Sequence, residues 1–122
     1  MYEKLIKLLL ITGLFIFPVF AKKDSTITVT KLYKNFSSAS GKTVKASGYV
    51  EEILYKGNSI RFVLNDNGNS VLIETDNSYF INNTYKGKNF TVCGIFFKLR
   101  KMDISGKKVK LPVLLVNETY CD

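Results

Sequence analysis

The 122-residue sequence has no histidine and no tryptophan, only two cysteines and two prolines, and just two arginines, Arg61 and Arg100, among its 18 basic residues. Without histidine, neither a Ser-His-Asp nor a Cys-His nucleophile can be assembled, and zinc or haem iron finds no imidazole ligand. Two distant cysteines make neither a zinc site nor a dithiol redox motif. The carboxylates near turns, Glu51, Glu52, Asp66, Asp76 and Asp103, are scattered along the chain, and Asp66 is more simply a turn former than a calcium ligand. The expectation is a non-enzymatic protein with no cofactor and no bound metal. Scarce arginine also weakens any case for base-specific nucleic-acid contacts, which favour its bidentate fork.

What is present begins with an export signal. Lys4 and Lys7 precede an almost unbroken apolar run from Leu8 to Phe17, Pro18 breaks it, and Val19-Phe20-Ala21 fits a signal-peptidase site. The run is shorter than the ~20 residues a spanning helix needs. Residues 1–21 are therefore read as a cleavable signal peptide, with retention as an anchor the alternative. The mature chain would start at Lys22 in the periplasm or outside the cell, with no membrane span. Its length of about 100 residues suits one domain. The formal charge of +8 changes little on cleavage, and such a surplus can draw in nucleic acid, anionic lipid or acidic glycans, or simply solvate the surface.

From residue 42 the pattern is a small antiparallel β domain, with strand-favouring runs separated by Gly, Asn and Asp. Thr43 to Leu54 alternates as a long first strand, and Gly48 within it suits a bend or bulge. Ser59–Leu64 is the second strand, with Ile60, Phe62 and Leu64 inward; Asn65 to Asn69 supplies a hairpin turn. Val71–Glu74 is the third. Residues 76–86 carry N-cap candidates Asp76, Asn77 and Ser78 and read as a short helix ending at Gly87. Asn89–Leu99, interrupted by Gly94, is the fourth strand and Val109–Val116 the fifth, with Pro112 at an edge or bulge. Residues 22–41 form a leading strand or helix that packs on the barrel, then a flexible break at Ser37–Gly41. Residues 42–122 are the domain proper.

Three blocks carry a family resemblance. Val44-Lys45-Ala46-Ser47-Gly48-Tyr49-Val50 resembles the opening strand of OB domains. Phe62-Val63-Leu64-Asn65-Asp66-Asn67-Gly68 resembles their second strand and turn, and Tyr85-Lys86-Gly87-Lys88-Asn89-Phe90-Thr91-Val92-Cys93-Gly94 the approach to their fourth. The chain is thus similar to the exported bacterial OB-fold (BOF) proteins and to OB domains like the anticodon-binding domain of tRNA synthetases. That resemblance implies an all-β, five-stranded Greek-key barrel with one short helix between strands three and four. It implies binding of a small ligand, an oligonucleotide or a protein, and transfers no catalytic residue.

OB-folds bind along strands two and three and the flanking loops. The residues expected outward there, Ser59, Arg61, Val63, Leu72 and Glu74, include no aromatic to stack a base. The loops are richer. Tyr55 and Lys56 occupy the first, and Lys98, Arg100, Lys101, Lys107 and Lys108 occupy or flank the one joining strands four and five. Either Phe96 or Phe97 must point away from the core unless Gly94 makes a bulge; Phe97 is the binding candidate. Together these residues would form a basic, aromatic-edged groove for single-stranded nucleic acid or another polyanion. The alternatives are lysines merely solvated around a Ser105-Gly106 turn, or a protein-interaction or envelope-maintenance module whose outer strands, or hydrophobic residues such as Val63 and Leu72, meet a partner. A hairpin centred on that turn places Cys93 opposite residue 118, so a Cys93–Cys121 disulfide is geometrically allowed in an oxidising compartment; a buried Cys93 with a free Cys121 is the alternative.

Overall fold

The computed structural model describes residues 26–118 and Cys121; residues 1–21, read above as a signal peptide, lie outside them. Elements follow in the order β1 (Ile27–Thr28), α1 (Val29–Lys34), a 3-10 turn (Ser37–Ala39), β2 (Thr43–Lys56), β3 (Ile60–Asp66), β4 (Asn69–Thr75), α2 (Ser78–Asn83), β5 (Asn89–Ile104) and β6 (Lys107–Leu115). The sheet runs β1-β2-β3-β4-β6-β5, and pairing of β5 back onto β2 closes it into a ring. All ladders are antiparallel except β4–β6 and the short β1–β2. This is the OB-type barrel that the glycine-marked strands imply, with β2 to β6 as its five strands.

Closure depends on β2 changing partners. Residues 43–49 pair with β5 and residues 49–56 with β3, so the strand turns a corner near Tyr49. Gly48 makes that corner sterically possible: a Cβ there would lie 1.8 Å from the Asn65 carbonyl oxygen. The Ser47 amide donates to Asp66 Oδ2 at 2.9 Å, so the turn-forming carboxylate also ties the two strands together. The bulges of β2 lie beyond the glycine, between Val50 and Glu52 and between Ile53 and Tyr55. Gly94 serves the second close approach, since its Cβ would meet the Leu115 carbonyl at 2.8 Å.

Inward residues of every strand meet in one core, with Val44, Ala46, Phe62, Leu64, Val71, Ile73, Val92 and Leu114 all buried. Helix α2 plugs it. Asn77 Oδ1 accepts from the Tyr79 amide at 2.8 Å as N-cap, and Phe80 packs its ring 5.3 Å from that of Phe90. The short helix expected within residues 76–86 is present as the six residues Ser78–Asn83, and it ends at Asn82-Asn83, a residue type whose side chains compete for backbone partners, rather than running on to Gly87.

The leading segment belongs to this core. Thr28 caps α1, and Val29, Leu32 and Ala39 are buried. Residues 37–41, expected as a flexible break, are held: the Gly41 amide donates to the Phe96 carbonyl at 3.0 Å, and the Phe96 amide donates to Lys42 at 3.0 Å.

A second correction concerns the outer face. Alternation does direct Val63 and Leu72 away from the barrel axis, but both are buried, Leu72 fully. The β5–β6 hairpin is longer than the sequence suggests and folds over them. Val63, Leu72, Leu111 and Val113 form a small second core, flanked by Leu54, Met102, Ile104 and Val109. The partner surface expected at Val63 and Leu72 is therefore filled by the chain itself.

Candidate functional site

The β5–β6 hairpin turns through Ser105 and Gly106, both at positive φ (53° and 82°), as its two-residue loop requires. Ile104 pairs with Lys107, and the register continues unbroken to Lys98 opposite Val113. Directly opposed residues of an antiparallel ladder share a face. One face of this arm therefore carries Arg100, Met102, Val109 and Leu111, turned toward the second core. The other carries Lys101 opposite Lys110 and Asp103 opposite Lys108. Apart from a loose Lys108–Asp103 pair at 4.0 Å, these lysines form no ion pair among the described residues. Lys107, at the tip, is also exposed. The result is a two-stranded ribbon that is apolar beneath and cationic above.

The arginines behave differently. Arg100 on β5 reaches across β6 to an ion pair with Glu74 on β4, both side chains partly shielded from solvent. Arg61 is the cross-strand neighbour of Glu74, and its guanidinium lies 5.2 Å from the Tyr55 ring. Both arginines line one groove of about 490 Å³, shared with Glu74, Asp76, Thr75 and Asn117. Two guanidinium groups there meet two carboxylates, so the groove is charge-balanced and adds little to the surplus on the arm.

Phe96 points inward and Phe97 outward, and the bulge falls at Phe97 itself, between Phe96 and Lys98, rather than at Gly94. Lys98 Nζ lies 5.2 Å from the Phe97 ring. Lys56 turns elsewhere, donating to the Thr84 carbonyl at 3.4 Å in the segment after α2. The structure thus splits the expected cluster. Tyr55, Arg61 and Arg100 belong to the groove; Phe97 and Lys98 lie at the root of the arm; Lys101, Lys107 and Lys108 lie along it; Lys56 stands apart. Lys110 completes the cationic face and was missing from the candidates. The signal for it was present, because Lys108 and Lys110 alternate with Val109 and Leu111.

Cys93 and Cys121 are joined in a disulfide, with their Cα atoms 5.3 Å apart. The bridge fastens the C-terminal tail to the outer face of β5. The Asn117 carbonyl in that tail accepts from Asn77 Nδ2 at 2.8 Å, which fixes the groove wall. Among the described residues, no three His, Cys, Asp or Glu side chains gather as a metal site would require.

No protein-family model matches this sequence, and no curated protein matches it. Solved structures do share its architecture. A protein described as an aspartyl-tRNA synthetase from Leishmania major Friedlin superposes on 75% of this chain with a TM-score of 0.56 and 20% identity. The match spans only 19% of that synthetase's length. A small single-stranded DNA-binding protein from Streptomyces coelicolor aligns over 61% of this chain and 87% of its own, with a TM-score of 0.43 and 17% identity. At 20% identity the likeness to the first is one of fold alone, and the ring closed by β2 and β5 makes the chain an OB-type β-barrel.

Proposed function

We propose that the chain is an exported, non-enzymatic OB-type binding module whose β5–β6 arm engages a polyanion, single-stranded nucleic acid among them. The observation that carries this reading is the direct opposition of Lys101 and Lys110. Like charges facing each other across a ladder destabilise it, and neither lysine forms an ion pair among the described residues, Asp103 on the same face being paired loosely with Lys108. A bound phosphate or sulfate chain would relieve it and would reach Lys108 along the same face, with Lys107 at the tip beyond. The cationic face carries no aromatic ring, so binding would rest on backbone charge rather than base stacking and would be strongly salt-dependent. Export is supported by the signal-like sequence of residues 1–21 and fits the Cys93–Cys121 bridge, since disulfides persist in oxidising compartments.

The test is charge reversal of Lys98, Lys101, Lys107, Lys108 and Lys110 to Glu, followed by single-stranded DNA and heparin binding. The expected result is loss of both activities with the fold retained by circular dichroism. A wild-type protein inert toward both polyanions contradicts the reading.

A further inference from the structure

Where β2, β5 and β6 run side by side, the outer face of the barrel carries three large apolar side chains in solvent. Ile95 stands opposite Leu115 on β6 and opposite Thr43 on β2, and Phe97 is the extra residue of the adjacent bulge. Their exposures are 44%, 37% and 52%. The arm that buries Val63 and Leu72 does not extend over them. Lysines surround the patch. Lys45 is opposite Cys93, two residues before Ile95; Lys42, exposed, precedes Thr43 and its backbone carbonyl accepts from the Phe96 amide; and the Lys98 ammonium lies over the Phe97 ring. The carboxylate beside Leu115 in the β4–β6 register, Glu74, is already held by Arg100.

We propose that this face docks on an anionic lipid bilayer, with Ile95, Phe97 and Leu115 entering the headgroup boundary while Lys42, Lys45 and Lys98 meet lipid phosphates. Charge complementarity selects the occupant: an apolar centre ringed by lysines on a chain of net charge +8 matches an acidic, amphipathic surface. Shape narrows it further. The wall of a closed barrel is convex, and β5 at Ile95 is paired on both sides, so neither a groove nor a free strand edge is offered to a peptide here.

The absence of tryptophan gives a clean probe. The chain from Lys22, which contains the whole closed sheet and both cores, is prepared as Phe97→Trp and, for comparison, as Tyr85→Trp on the loop after α2. Each is titrated with phosphatidylcholine vesicles with and without phosphatidylglycerol. The expected result is a blue shift of emission for Trp at 97 on the anionic vesicles alone, and none for Trp at 85. Replacing Lys42, Lys45 and Lys98 by Gln should weaken vesicle binding roughly a hundredfold, and I95S/F97S/L115S should abolish it. A K101E/K108E/K110E arm variant should still bind vesicles while losing heparin, which separates this proposal from the polyanion reading. Equal shifts at both tryptophans, no shift at 97, undiminished binding by the serine variant, or a wild-type dimer that the serine variant dissociates would each overturn it.

Discussion

Lys101 and Lys110 face each other across the β5–β6 ladder, and neither has an ionic partner among the described residues. A pairing chosen for stability would put opposite charges at these positions. The arm therefore carries a small electrostatic penalty that a ligand can remove. Replacing Lys110 by Glu should raise stability toward urea by about 0.2–1 kcal/mol while weakening heparin binding. A variant that is less stable and binds equally well would show that the opposition has no functional meaning.

Leu72 separates a surface from a core. As an outward residue of an ordinary sheet, its truncation to Ala would change stability by less than about 0.5 kcal/mol. Buried beneath Leu111 and Val113, it should cost about 2–5 kcal/mol. Urea denaturation of Leu72→Ala decides between the two, and a near-neutral result would mean that the arm does not close over β3 and β4.

Much of this barrel was legible because its determinants are local. Gly48 and Gly94 mark corners where a side chain has no room, and the Asn67-Gly68 and Ser105-Gly106 turns set hairpin registers that hold for most of their length. The Cys93–Cys121 bridge follows from one of those registers. The length of the arm was not legible. Arg100 to Lys108 reads as a charged loop by composition, although Met102 and Ile104 alternate within it and Val109 and Leu111 continue the alternation beyond it. What makes the segment a strand pair is the shelf of Val63 and Leu72 beneath it, a contact remote in sequence. The same remoteness hid the Arg100–Glu74 pair, so Arg100 was counted as a free cation when the fold had already neutralised it. The small residues of Ser37–Gly41 read as a break for similar reasons, and are held by Phe96.

Tyr33 gives the fold a pH signature. Its hydroxyl donates to the Ser70 carbonyl, and burial pushes the phenol above its ordinary pKa of 10.0. The folded state then keeps a proton that the unfolded chain has given up, so this contribution is complete below pH 10 and is lost as pH rises through the folded value. Stability should fall on the alkaline side, and Tyr33→Phe should flatten that fall while costing about 0.5–1.5 kcal/mol at neutral pH. Urea titrations of both proteins across the alkaline range check this; identical slopes would contradict it.

The disulfide closes a loop of sequence separation 28. In the chain-entropy account that stabilises the fold by about 3.5 kcal/mol. Reduction, or C93A/C121A, should lower stability by that order. Alkylation of the untreated protein should find no free thiol by mass spectrometry, and two modified thiols would refute the bridge.

The most direct test of the account is the salt dependence of single-stranded DNA binding by the wild type and by a K101Q/K108Q/K110Q variant. Each lysine that meets a phosphate contributes about 0.7 to the slope of log affinity against log salt. The account predicts that the variant's slope is shallower by about 2 and its affinity lower in dilute salt. An unchanged slope would contradict it, because the cationic face of the β5–β6 arm would then not be where the polyanion lies.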